Sequence, residues 1–102
     1  MAHLTVSEEA DRDLVALYRQ GVEMFGVGQA DRYVEGLLNA LDLIADFPGA
    51  ARLRTELQPP IRVYPYKSHL VLYDVDARGD VLVVRIRHGH EDWAGQAGDS
   101  SD

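Results

Sequence analysis

The chain has no cysteine, which excludes disulfides and thiolate metal sites and removes any pointer to an oxidising compartment. It has one lysine, Lys67, a poor supply of cations for a protein meant to grip a polyanion. No stretch approaches the roughly 18 apolar residues of a membrane span. The opening MAHLTVSEEADRDL carries charges where a signal peptide needs an apolar run. These absences lead to the expectation of a soluble, cytoplasmic protein without a membrane partner. At 102 residues it is one domain, large enough to bury about two thirds of its unfolded surface in a single core.

Charge is present but unevenly placed. The net charge is −7. Residues 1–50 hold three basic and nine acidic residues, whereas residues 51–90 hold seven basic and four acidic ones. The last twelve residues add four acids and no Lys or Arg. The total argues against a general nucleic-acid binder, and no direct nucleic-acid contact is expected. The asymmetry suggests one positive face on a mostly acidic body.

His3–Val6 is β-prone. Ser7 offers an N-cap, with Glu8, Glu9 and Asp11 in the first helical turn, where the helix dipole favours anions. Leu14, Leu17, Tyr18, Gly21, Val22 and Phe25 then recur at helical spacing, and Gly26 and Gly28 interrupt them. A second helix is expected after Gly28, with Ala30, Tyr33, Val34, Leu37, Leu38, Leu41, Ile44 and Ala45 on its apolar side and Pro48-Gly49 stopping it. Together they read as an antiparallel helical hairpin.

Residues 50–60 read as an irregular connection with room for a short helical turn. Three β-prone runs follow, Ile61–Tyr66, His69–Val75 and Val81–Arg87, separated by turn signals at Lys67-Ser68 and at residues 76–80. Simple alternation puts Ile61, Val63, Leu70, Leu72, Leu82, Val84 and Ile86 on one face, which should receive the helices. It puts Arg62, Tyr64, Tyr66, His69, Val71, Tyr73, Val81, Val83, Arg85 and Arg87 on the other. Arg and Tyr are favoured anchors in protein interfaces, so Arg62, Tyr64, Tyr66, Arg85 and Arg87 are candidate partner-binding residues. The alternative is that they pack beneath the C-terminal segment. His88 and Trp93 are further candidates, although Trp93, the only tryptophan, could equally serve as a lid on a small core. Residues 94–102 (AGQAGDSSD) are small, polar and acidic and are expected to be a disordered tail, leaving a domain over residues 1–93.

Chemistry finds little footing. His88-Gly89-His90-Glu91-Asp92 gathers possible metal ligands, but Gly89 and the strand end leave their geometry loose, and no third ligand stands at a spacing that fixes coordination. Ser7 is better explained as a cap than as a nucleophile, and no triad is visible. No catalytic residue, metal or cofactor is expected.

The residues as ordered resemble the ParE toxins of the RelE/ParE superfamily. The strand and helix start L-T-V-S-E-E-A-D-R-D-L, with Ala10, Asp13 and Leu14, resembles theirs. So do the Phe25-Gly26 and Gln29-Ala30 joint and the second-helix positions Tyr33, Leu37 and Leu41. Pro48 and Arg52 match the exit, His69 to Tyr73 the middle strand, and Arg85-Ile86-Arg87-His88 with Glu91-Asp92-Trp93 the ending. The likeness runs from about residue 3 to residue 93; order and spacing carry it, not any single motif.

That resemblance implies an α+β fold of order β-α-α-β-β-β, with an antiparallel helical hairpin packed on one face of a small, mainly antiparallel sheet. It also implies the toxin of a type II toxin–antitoxin pair, a hetero-oligomer with a ParD-like antitoxin, and DNA gyrase as the target. A RelE-like ribosome-dependent ribonuclease is the enzymatic alternative. It would need convergent cations and an acid–base group; Arg62, Arg85, Arg87 and His88 are all this chain offers, and the lone lysine disfavours it. A non-toxic homologue that only binds antitoxin is the other reading left open.

Overall fold

In the computed structural model, residues 3–89 are described, so the expectations for Trp93 and for the acidic tail lie outside the described residues. The chain runs through β1 (Leu4–Val6), α1 (Glu8–Phe25), α2 (Val27–Asp46), a 3-10 turn (Pro48–Ala50), β2 (Leu53–Arg54), β3 (Ile61–Tyr66), β4 (His69–Val75) and β5 (Val81–His88). Among the described residues the strands form one sheet in the order β1-β5-β4-β3-β2. All neighbours are antiparallel except β1 and β5, which are parallel because the helical hairpin and the meander lie between them in sequence. No helix among the described residues is long and apolar enough to cross a membrane.

Ser7 starts α1 as expected. Its hydroxyl accepts the Ala10 N–H at 3.0 Å and donates to the Val84 carbonyl at 2.8 Å, so one side chain both caps the helix and ties it to β5. A single residue, Gly26, joins the helices at φ +91, a conformation that glycine tolerates and other residues rarely adopt. The second helix therefore begins at Val27, before Gly28 rather than after it. The connection contains one strand missed from sequence: β2 pairs Leu53 with Arg62 and Arg54 with Ile61.

The main core lies between helices and sheet. Leu37, Leu41 and Ile44 of α2 and Ala10 of α1 meet Val71, Tyr73, Val81, Val83 and Ile86. Leu4, Val6, Leu14, Leu17, Tyr64, Tyr66 and Val75 pack around them. A smaller core on the far face joins Leu57 to Val63 and Leu72, with Ile61 and Leu70 beside them.

This overturns the expected faces. The helices cover the tyrosine-bearing face of β3, and among the described residues the aliphatic face of β3 and β4 is covered by the connection through Leu57. In β5 the alternation itself breaks. Leu72 pairs with Arg85 but the next residue, Tyr73, pairs with Val83, so Val84 is the extra residue of a bulge. A bulge shifts the side-chain phase by one. Val81 and Val83 before it and Ile86 after it therefore all reach the main core.

Candidate functional site

Directly paired residues of adjacent strands share a face, so the register defines the helix-free surface. One row is Pro65, Leu70 and Arg87; the next is Val63, Leu72 and Arg85; a third brings Leu82 beside Asp74. Arg54 of β2 lies beside Ile61 at the opposite edge. The result is an aliphatic strip whose centre, Val63 and Leu72, is buried beneath Leu57, with Arg54 at one side and Arg85 and Arg87 at the other. Leu82 is 42% exposed on it.

Arg85 is already engaged. Its Nε and a terminal nitrogen donate to the two oxygens of Asp13 at 2.8 and 3.1 Å, and the Ile86 N–H donates to the same carboxylate at 3.0 Å. Burial pushes the Asp13 carboxyl up. The hydrogen bonds from Arg85 and Ile86, with the positive charges of Arg85 and Arg87, outweigh that and hold it below its ordinary value.

The other predicted anchors fall elsewhere. Tyr64 and Tyr66 pair with Val71 and His69 on the helix side and belong to the rim of the main core, not to a helix-free surface. Arg62 lies on the same side, and its guanidinium donates to the Ala51 carbonyl at 2.5 Å, pinning the connection. Of the five, only Arg85 and Arg87 lie off the helix side, and they share that face with Leu70 and Leu72 rather than with the tyrosines.

His88 lies on the helix side, opposite His69 of β4. It lines a groove between the hairpin joint and the β4–β5 end, with a volume of about 360 Å³. The apolar wall comes from Leu17, Met24, Phe25, Ala30 and Val34. A second hollow of about 410 Å³ shares His69 and His88 and extends along α1 to Asp13 and Gln20. At the floor, the Tyr33 hydroxyl is 2.7 Å from His69 Nδ1 and accepts the Ser68 N–H at 3.2 Å. Burial pushes the Tyr33 phenol up, more than the bonds from Ser68 pull it down. The Tyr33 and His69 rings meet edge-on, as do Tyr33 and Tyr66.

Reasoning from the sequence missed this cluster as a site. Tyr33 reads as one more apolar-stripe residue, and His69 gains meaning only once the register sets it against His88. For ribonuclease chemistry the arrangement is unpromising. Arg87 and His88 are successive strand residues on opposite faces, and Arg85 is neutralised by Asp13. Among the described residues, phosphate-binding and acid–base groups are thus not gathered in one place.

Comparison with known proteins agrees with the fold. A curated toxin, ParE1 of Mycobacterium tuberculosis, is 31% identical over 87 residues, covering 85% of this chain and 89% of its own. ParE3 of Caulobacter vibrioides is 30% identical over 86 residues, covering 84% and 85%. A solved structure described as a chromosomal ParDE TA system from P. aeruginosa has the same fold, with a TM-score of 0.75 at 19% identity over 86% of this chain and 96% of that one. The family model for the ParE toxin of the type II toxin–antitoxin system parDE matches residues 4–93, and the chain belongs to that family.

Proposed function

We propose that this ParE toxin acts by protein binding rather than catalysis, inhibiting DNA gyrase, and is neutralised by a ParD-like antitoxin. The observation that carries the reading is family membership over residues 4–93. The geometry supports it through the helix-free sheet face, an aliphatic strip flanked by arginines on a chain that is otherwise acidic. An acidic, amphipathic segment that folds on binding suits that face: apolar side chains meet Leu70 and Leu82, and carboxylates meet Arg54 and Arg87. Tyr64 and Tyr66 support this surface from the core side.

Expression of the chain without its antitoxin, followed by assays for DNA breaks and messenger cleavage, tests the activity. Broken DNA with an SOS response is expected; cut messengers with intact DNA would reverse the assignment. For the partner, Arg85→Glu with Arg87→Glu should weaken antitoxin binding by more than about 2 kcal/mol if these charges are desolvated in the complex. Because Arg85 also holds Asp13, Arg87→Glu alone is measured beside it. Unchanged affinity in both variants removes this face from the antitoxin interface.

A further inference from the structure

We infer that the chain covers its own groove: Trp93, carried by the segment that follows β5, seats against Met24 and Phe25 between the hairpin joint and the β4–β5 end. The walls there are apolar yet open, with Met24 63% and Phe25 58% exposed beside Leu17, Ala30 and Val34. An exposed apolar patch shaped as a groove marks a place that another group covers. On the far face the aliphatic strip already has its cover, since Leu57 packs on Val63 and Leu72. Among the described residues the groove has none.

The exit of the chain points to the occupant. Strand β5 ends at His88, which lines the groove, and the Gly89 N–H donates to the Ser68 carbonyl at 2.7 Å on the same rim. A Cβ on Gly89 would stand 3.2 Å from that carbonyl oxygen, so the missing side chain lets the outgoing backbone lie against the β3–β4 turn. Beyond Gly89 the sequence reads HEDWAGQAGDSSD, in which Trp93 is the one large apolar side chain. Four residues of extended chain span at most about 13–14 Å. An indole tethered at Gly89 therefore reaches walls that share a hollow with His88. So short a tether presents the ring at an effective concentration on the order of millimolar, and seating it removes about 150–250 Å² from water. Charge agrees. Among the described residues none that lines the groove is acidic. At its rim the Lys67 ammonium lies 5.6 Å from the Tyr66 ring centre and 6.0 Å from that of Tyr33, a cation for the two acids, Glu91 and Asp92, that precede Trp93. The family match runs to residue 93 and so takes in the tryptophan. An apolar segment from outside the chain then reaches these walls only by displacing Trp93.

The test uses the untagged full-length chain, in which Trp93 is the only tryptophan and so the only source of indole signal. In the unmutated protein, nuclear Overhauser contacts are expected from the indole ring protons to the Met24 methyl and the Phe25 ring, a readout that does not depend on a variant folding. Its fluorescence should lie to the blue of the urea-unfolded chain and resist acrylamide quenching. Phe25→Glu should move the emission to the red and raise the quenching. Pro65→Glu, at an exposed position in the row of Leu70 and Arg87 on the opposite face, should leave both unchanged. Circular dichroism checks that each variant keeps its fold. A response to Pro65→Glu but not to Phe25→Glu would place the indole on the far face and overturn the proposal. Contacts seen only between differently labelled copies would give the groove to a second chain's tryptophan and overturn it as well. So would an emission equal to that of the unfolded chain with no contacts to Met24 or Phe25.

Discussion

Asp13 belongs to α1, yet its carboxylate accepts a backbone hydrogen from Ile86 in β5. It does so because β1 pairs only with residues 81–83 of β5, and the Ile86 N–H lies past the end of that ladder. The same carboxylate holds the Arg85 guanidinium in a two-point contact. Asp13→Asn keeps one acceptor but loses the charge; allowing for solvent at the partly exposed Arg85, a loss of about 1–2 kcal/mol is expected at neutral pH. Since the folded pKa is depressed, this stabilisation is complete above the unfolded value near 3.9 and vanishes as pH falls through the folded value. Urea denaturation at several pH values checks it: the gap between the two proteins should close in acid, and a pH-independent gap would refute the linkage. Tyr73 poses a simpler case. Its ring is fully buried, and its hydroxyl donates to the Pro48 carbonyl at 2.8 Å and accepts the Ala51 N–H at 3.2 Å. Tyr73→Phe strands two backbone groups and should cost about 1–3 kcal/mol, read by the same denaturation.

At the scale of elements, α2 approaches the sheet closely at one point. A Cβ built on Gly36 would lie 1.9 Å from the Tyr66 hydroxyl oxygen and 3.0 Å from the ring carbon bearing it. Gly36→Ala gains about 1 kcal/mol of helix propensity but drives a methyl into a ring already packed edge-on against Tyr33. Overpacking of about 1–3 kcal/mol should prevail. Adding Tyr66→Phe removes the clashing oxygen and should restore part of the loss in thermal melts; a strictly additive double variant would show that the contact is not the cause. Both helices, the hairpin and the meander were legible from spacing, caps and turn residues. The phase of the sheet was not, because a bulge at Val84 needs knowledge of the β4 register and because tyrosines serve cores and interfaces alike. Strand β2 is two residues long, too short for any alternation. The pairing of His69 with His88 is likewise a property of register, whereas Arg85 and Arg87 end off the helix side only because the bulge reverses the phase of β5 after Val83.

Across the whole molecule, acid is concentrated on the helical layer and base on the meander. In α1 and α2 nine acidic residues face three arginines, while β2 to β5 bring Arg54, Arg85 and Arg87 to one sheet face. An overall charge of −7 repels an acidic partner at long range, so under the proposed function productive encounter with the antitoxin would depend on the local potential of that face. Association should therefore slow as salt rises, since screening acts over about 8–10 Å near physiological ionic strength. Arg54→Glu with Arg87→Glu should lower the association rate and flatten or reverse its salt dependence. Arg19→Glu with Arg32→Glu changes the net charge by the same amount on the exposed helical layer and serves as the control. Stopped-flow measurements at several salt concentrations separate the two cases. If steering comes from the sheet face, only the first pair alters the slope. Equal changes in both pairs would mean that net charge alone governs the encounter and that the antitoxin does not approach through the arginine-flanked strip.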